Sequence, residues 1–168
     1  DTARGKLPKT DIPALPIFAY SGRGRKRMRK LLYYSIDQAQ TCILLTTAYF
    51  IPSRRLIQRL EEAVRRGVKV RLLVPGKSDI PIASYAGRAF FSRLLKAGIE
   101  IYTYLGEILH AKTYLFDQSW SIIGSTNLDY QSLRYNDEGN IGILDSTFAS
   151  KMGGVFEEDL KTSVQIDE

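Results

Sequence analysis

The sequence predicts an α/β fold in which a mixed, largely parallel β-sheet is sandwiched between α-helices. Short runs rich in β-branched and apolar residues, CILLTT at 42–47, VKVRLLV at 68–74 and IEIYTY at 99–104, alternate with longer stretches whose apolar residues recur at helical spacing. Each intervening stretch ends on a glycine, Gly67 or Gly98, where a left-handed residue closes a helix. Strand, helix, strand, helix, strand is the order expected of parallel strands joined by helical crossovers. At 168 residues the chain has the size of one domain and is long enough to bury a sizeable core.

Residues 1–16 carry prolines at 8, 13 and 16 and little periodicity, so they read as a linker or extended arm, leaving 17–168 as a single domain. Residues 17–20 form a short strand, and 21–24 turn into a helix with Met28, Leu31, Leu32, Ile36 and Ala39 on its buried stripe. The first turns of that helix hold Arg23, Arg25, Lys26, Arg27, Arg29 and Lys30. Cations at a helix N-terminus oppose the macrodipole, so the run does not serve helix stability. It suits either a solvated face or an anionic surface, lipid or nucleic acid.

After the strand at 42–47, Tyr49, Phe50 and Pro52 form a loop leading to Ser53 as N-cap. Leu56, Ile57, Leu60, Ala63 and Val64 then make the stripe of the next helix. The tripeptide GKS at 76–78 is not a P-loop, because Arg71 stands where that motif needs glycine. It reads as a strand-to-helix loop that puts Lys77 or Asp79 near the mouth of a site. Ala83, Ala86, Phe90, Leu94 and Ala97 line a third helix. Further on, residues 128–134 make a short helix or loop and 140–144 a strand. Phe148, Met152, Val155, Phe156 and Leu160 mark a closing helix weakened by Gly153 and Gly154.

The composition, 44% hydrophobic and 25% charged, is that of an ordinary soluble globular protein. A single cysteine excludes an intrachain disulfide, and its setting in CILL predicts a buried thiol at Cys42. One cysteine and one histidine do not make a zinc site. The excess of 24 basic over 18 acidic residues, a net charge of +6, favours anionic partners such as phospholipid headgroups or nucleic acid. The longest mostly apolar run, 42–51, is too short to span a bilayer, and the first ten residues lack the apolar core of a signal peptide. A start without Met and without a strong first element looks like a cut inside a longer protein.

The chemistry concentrates in residues 110–127, HAKTYLFDQSWSIIGSTN, which hold the only histidine. His110 is followed by Lys112, then after four residues by Asp117, and after six more by Gly124, Ser125 and Asn127. Thr113, Tyr114, Leu115 and Phe116 suit a strand, whose period of two places His110, Lys112, Tyr114 and Phe116 on one face and Asp117 on the other. His110 and Lys112 would then lie roughly 7 Å apart. The lysine offsets charge on phosphate oxygens and disfavours the imidazolium, keeping the ring available as a nucleophile. Gly124 frees the backbone to turn, so that Ser125 and Asn127 present short hydrogen-bond donors to the same phosphate.

This spacing, HxK, four residues, D, six residues, GSxN, resembles one complete copy of the phospholipase D superfamily motif, HKD. The pieces TTAYFIPS, RGVKV, AGIEIY and GSTNLD further resemble the C-terminal half of bacterial cardiolipin synthases of the phospholipase D type, over about residues 17–166. The resemblance implies a phospholipase D-like fold of two packed halves sharing one phosphate site. One histidine attacks phosphorus to give a phosphohistidine, the other protonates the leaving alcohol, and neither metal nor other cofactor takes part. It assigns His110 as nucleophile or acid, and Lys112, Ser125 and Asn127 as phosphate ligands. Glu138 is assigned to the second ring nitrogen of the histidine, and Asp117, the remaining member of the set, to an anchoring role. The implied reaction is phosphatidyl transfer, cardiolipin synthesis from phosphatidylglycerol-type lipids.

Only one HxK is present, so the resemblance also implies a partner: a second HKD half in the same parent chain or a homodimer mate. It implies a bacterial inner-membrane location, peripheral or through an anchor elsewhere in a parent chain, with an anionic phospholipid substrate and a membrane surface as partners. TTAYF lacks the proline that often precedes the tyrosine, and YQSLRYNDE replaces the usual arginine, serine, phenylalanine run and NFE pattern. These departures bear on the acceptor and leave the phosphoryl chemistry in place. Two other readings stand beside it: a homodimeric phosphodiesterase or nuclease of the superfamily, and an isolated half that binds anionic lipid or nucleic acid without turnover.

Overall fold

The computed structural model describes residues 11–77 and 89–167. In chain order the elements are β1 (Ala14–Phe18), α1 (Gly22–Gln38), β2 (Cys42–Thr46), β3 (Phe50–Ile51), α2 (Arg54–Arg65), β4 (Lys69–Pro75), α3 (Phe91–Lys96) and β5 (Glu100–Tyr104). They continue as β6 (Thr113–Phe116), β7 (Trp120–Gly124), β8 (Leu128–Asp129), α4 (Tyr130–Arg134), β9 (Gly139–Leu144), α5 (Ser146–Lys161) and β10 (Ser163–Ile166).

Eight strands form one sheet in the order β1-β9-β7-β6-β2-β4-β5-β10, and β3 pairs with β8 in a two-stranded annex. The mixed sheet between helices is as expected, but its largely parallel character is not. Among the described residues of this sheet, β2–β4 and β4–β5 are parallel, whereas β1–β9, β9–β7, β7–β6, β6–β2 and β5–β10 are antiparallel. Connection length accounts for the parallel pair β2–β4 and for the hairpin β6–β7. A helical crossover such as α2 returns the chain for a parallel pairing, while the tight link from Phe116 to Trp120 permits only a hairpin.

Alternation along the strands divides the core in two. Ile43, Leu45, Val70, Leu72, Tyr114 and Phe116 pack with α1 and α2, and Leu44, Leu73 and Leu115 pack with Phe156 of α5. Ser21 caps α1, its Oγ accepting the Gly24 N–H at 3.1 Å, and Ser53 caps α2, its Oγ accepting the Leu56 N–H at 3.3 Å. Gly67 and Gly98 both take φ +91°, the left-handed termination expected of them. Helix α5 runs unbroken through Gly153 and Gly154, burying Ala149 and Phe156. Val155, expected on its buried stripe, is exposed, because it lies about 100° around the helix from Phe156.

The first strand begins at Ala14, inside the segment expected to be a linker, because residues 14–18 pair in register with β9 despite Pro16. Pro16 is tolerated since β1 is an edge strand. Residues 1–10 lie outside the described region. So do Asp79, Ala83 and Ala86, while Lys77 is exposed at the C-terminal end of the parallel strands. Cys42 is half-buried rather than buried, since it opens β2 at the rim of the sheet. Among the described residues no helix is long and apolar enough to cross a membrane.

Candidate active site

One end of the sheet gathers most of the motif. β6 begins only at Thr113, so His110 and Lys112 occupy the loop that feeds it; Leu109, buried, pins that loop to the core shared with α5. His110 is exposed and Lys112 is buried. The Lys112 ammonium donates to the His110 carbonyl at 2.7 Å, which ties the lysine to the backbone of the histidine. The Gly124 N–H donates to the Lys112 carbonyl at 3.2 Å, so the hairpin brings the end of β7 against the start of β6. Ser125 and Asn127 thereby reach the histidine loop across a gap of more than a dozen residues in sequence.

Gly124 acts through space rather than through a left-handed turn. Its φ is not positive, and a side chain there would strike the Gly139 carbonyl and the Asn140 carboxamide. That close approach lets the Ser125 N–H reach the Gly139 carbonyl at 3.0 Å. Ser125 Oγ in turn accepts the Gly139 N–H at 3.0 Å and donates to the carboxylate of Glu138, which is buried. Among the described residues the side-chain hydrogen bond made by the Glu138 carboxylate is to Ser125 rather than to the His110 imidazole. The hydroxyl of Ser125, one residue beyond β7, stands between β7 and β9 and takes that carboxylate first.

Asn127 is fixed by the annex. Its carboxamide oxygen accepts the Tyr49 N–H at 3.1 Å and faces the Thr47 hydroxyl at 3.3 Å, and the pairing of Phe50 with Leu128 holds the two segments in register. Because a backbone N–H can only donate, the oxygen must face Tyr49 and the amide NH₂ turns the other way, as a donor set at this end of the sheet. The same register brings the Tyr49 ring edge-on to His110, with centroids 6.3 Å apart and planes at 81°.

Two supporting residues were missed. Thr47 accepts the Leu128 N–H at 3.1 Å and donates to the Tyr49 carbonyl at 2.9 Å. Asn140 donates to Thr126 Oγ1 at 2.7 Å and accepts the Thr126 N–H at 3.3 Å. Both are buried polar groups, Thr47 just past β2 and Asn140 within β9, and a polar residue beside an apolar run is the signal that could have found them. Tyr114, fully buried, donates to the Thr126 carbonyl; burial pushes its hydroxyl pKa up, the bond with Thr47 lowers it, and the nearby Asp129 and Glu138 carboxylates raise it further.

Asp117 lies at the other end of β6, away from this cluster. Its carboxylate accepts the N–H groups of Gln40 at 2.9 Å, Thr41 at 2.8 Å and Cys42 at 3.1 Å, and the Thr41 hydroxyl at 2.9 Å. Burial pushes the carboxyl up, but the donors of Thr41, Gln40 and Cys42 outweigh it and hold the group below the ordinary carboxylate value. It clamps the start of β2 to the β6–β7 turn.

The sequence matches the family model described as "Cardiolipin synthase, PLD-like domain" over residues 32–160. It is 38% identical over 137 residues to cardiolipin synthase B of Salmonella typhi, covering 79% of this chain and 32% of that protein. With the minor cardiolipin synthase ClsB of Bacillus subtilis it shares 41% identity over 129 residues, 77% of this chain and 32% of that one. The chain thus spans about a third of the length of these curated relatives. In fold it superposes on Nuc, a phospholipase D family member from Salmonella typhimurium, with a TM-score of 0.78 at 20% identity, covering 94% of this chain and 100% of that one. Phosphatidylserine synthase of Haemophilus influenzae gives a TM-score of 0.74 at 14% identity, over 96% of this chain and 41% of that one. The cluster at His110 is therefore carried on a phospholipase D fold, and the chain belongs to the cardiolipin synthase PLD-like domain family.

Proposed function

We propose that this chain is one catalytic half of a phosphatidyltransferase that moves a phosphatidyl group between alcohols, most simply from one phosphatidylglycerol-type lipid to another to give cardiolipin. The observation that carries the reading is the convergence, at one end of the sheet, of an exposed imidazole, a buried ammonium on that residue's carbonyl, and the Asn127 amide whose oxygen is held by the Tyr49 N–H.

In the proposed step a ring nitrogen of His110 attacks the phosphodiester phosphorus. A P–N bond forms as the P–O bond to the leaving alcohol breaks, and that alcohol takes a proton from a second histidine. The acceptor hydroxyl then attacks phosphorus, gives its proton to the second histidine and breaks the P–N bond. Lys112 and the Asn127 amide offset and bind the charge on the phosphoryl oxygens, whose stabilisation by fixed donors is worth most where water is excluded. Ser125 joins them when its hydroxyl turns from Glu138, and Glu138 holds it ready. Such a membrane-facing role places the domain peripherally at a bacterial inner membrane.

The chain supplies one histidine, so the second comes from another half. A strictly monomeric preparation, verified by light scattering, is expected to turn over phosphatidylglycerol very slowly or not at all. Activity is expected to appear with dimer formation or with an added second HKD half, and to vanish in His110→Asn. Full turnover in the monomer would overturn the two-histidine step. Turnover of a nucleic-acid diester in preference to lipid by the dimer would favour the nuclease reading instead.

A further inference from the structure

A groove of about 650 Å³ runs along the outer face of the helical layer, between α1 and α2, bordered by Lys26, Arg27, Lys30 and Arg55 with Tyr33 and Tyr34. We infer that it is a second phosphate-recognising surface, separate from the cluster at His110, that docks the domain on the headgroups of an anionic phospholipid membrane. The inference rests on the phosphatidyl-transfer reading.

The basic run on α1 divides into two sets. Arg25 pairs with Asp137 at 2.9 Å, and Arg29 donates to the Leu133 carbonyl at 2.8 Å, so these two hold α1 to the segment around α4. Lys26, Arg27 and Lys30 are exposed, and among the described residues no carboxylate pairs with them. Among the described residues lining the groove the one carboxylate, Asp37, is taken by Arg59. The first turn of α1 carries no acid to answer the cations, an arrangement that helix stability disfavours and an anionic surface reverses.

Both helices start at the end of the sheet that carries His110. The Ala19 N–H, just ahead of α1, bonds the Glu138 carbonyl at 2.8 Å, and Ser53 of α2 follows Tyr49 by four residues. Both helices run toward the Asp117 end, where Gln40 meets Asp117 and Arg66 donates to the Ile36 carbonyl at 2.9 Å. The groove therefore leads away from the site along one continuous outer surface, which a lipid sheet can follow.

Lipid is favoured over nucleic acid because, among the described residues, the groove leaves one ring, Tyr34, open rather than a succession of them. Sequence-tolerant binding of single strands uses open aromatic faces on which bases stack. Here the guanidinium groups of Arg55 and Arg59 lie over Tyr33, 5.7 and 5.0 Å from its centroid. Tyr34, 63% exposed, and Leu15, 37% exposed, remain at the rim, an amphipathic ring and an aliphatic side chain of the kind that settles at the headgroup level.

The test is sedimentation of the full chain with vesicles of phosphatidylcholine alone and of phosphatidylcholine mixed with phosphatidylglycerol, comparing wild type with Lys26→Gln/Arg27→Gln/Lys30→Gln. A basic residue at an anionic surface contributes about fivefold in binding, so the triple variant is expected to bind the phosphatidylglycerol vesicles roughly a hundredfold more weakly. Its thermal midpoint is expected to be unchanged or raised, since the three side chains are exposed and oppose the helix dipole. His110→Ala is expected to keep wild-type vesicle binding, which separates failure of docking from failure of phosphoryl transfer. Equal binding by the triple variant and wild type overturns the inference, as does a wild type that ignores phosphatidylglycerol or a His110→Ala protein that loses binding as fully as the triple variant. Displacement of wild type from the vesicles by a single-stranded oligonucleotide that binds more tightly through the same three residues overturns it in favour of nucleic acid.

Discussion

The carboxylate of Asp117 accepts the Thr41 N–H at 2.8 Å and the Thr41 hydroxyl at 2.9 Å, with the N–H groups of Gln40 and Cys42 completing the clamp. The aspartate of the motif thus fastens the far end of β6 to the start of β2, at the opposite end of the strand from the cluster at His110.

Asp117→Ala leaves several N–H groups without their acceptor and is expected to cost roughly 2–4 kcal/mol in urea unfolding at neutral pH. The group's pKa is depressed below 3.8 in the fold, so its stabilisation is fully present above that value and lost as pH falls through the folded pKa. The gap between wild type and variant is therefore expected to close as pH drops below about 4. A gap independent of pH down to full protonation would contradict the clamp.

Gln118 offers the opposite sign. Asp117 and Gln118 both take φ +52° in the turn between β6 and β7, with Ser119 N–H on the Phe116 carbonyl at 3.2 Å. This hairpin geometry favours Asp or Asn followed by Gly. Gln118→Gly is expected to raise stability by about 0.5–1 kcal/mol, the relief of a left-handed side chain less the added freedom of the unfolded chain. A thermal melt showing destabilisation would count against the turn.

Much of this was legible in the sequence because it depends on local chemistry. The glycine stops at Gly67 and Gly98, the Ser53 cap and the strand through Tyr114 and Phe116 follow from residue type and period. The antiparallel half of the sheet was less legible, because pairing direction depends on connection length and on which edge of β2 remains open. β6 takes that edge after β4 has taken the other. Within the site, the spacing marked His110, Lys112, Ser125 and Asn127 but could not show which neighbour claims Glu138. That choice is made by the close approach of β7 and β9 at Gly124, a tertiary contact with no local signature.

Ser125 and Glu138 are expected to be coupled. Ser125→Ala and Glu138→Ala each remove one side of a charge-assisted bond, so a double-mutant cycle in stability is expected to give about 1–3 kcal/mol of interaction. Ser125→Ala is also expected to lower kcat/KM about a hundredfold in a catalytically complete assembly, the usual loss for one transition-state donor. Additive stabilities, or unchanged kcat/KM, would remove Ser125 from its proposed role.

The most direct measurement is covalent trapping: the chain, assembled with a second HKD half, is mixed with phosphatidylglycerol, quenched at alkaline pH to preserve a phosphoramidate, and its peptides are weighed by mass spectrometry. The proposed step predicts a phosphatidyl adduct on the peptide that contains His110, absent from His110→Asn. An adduct that persists in His110→Asn, or one that maps to another residue of this chain, would contradict it.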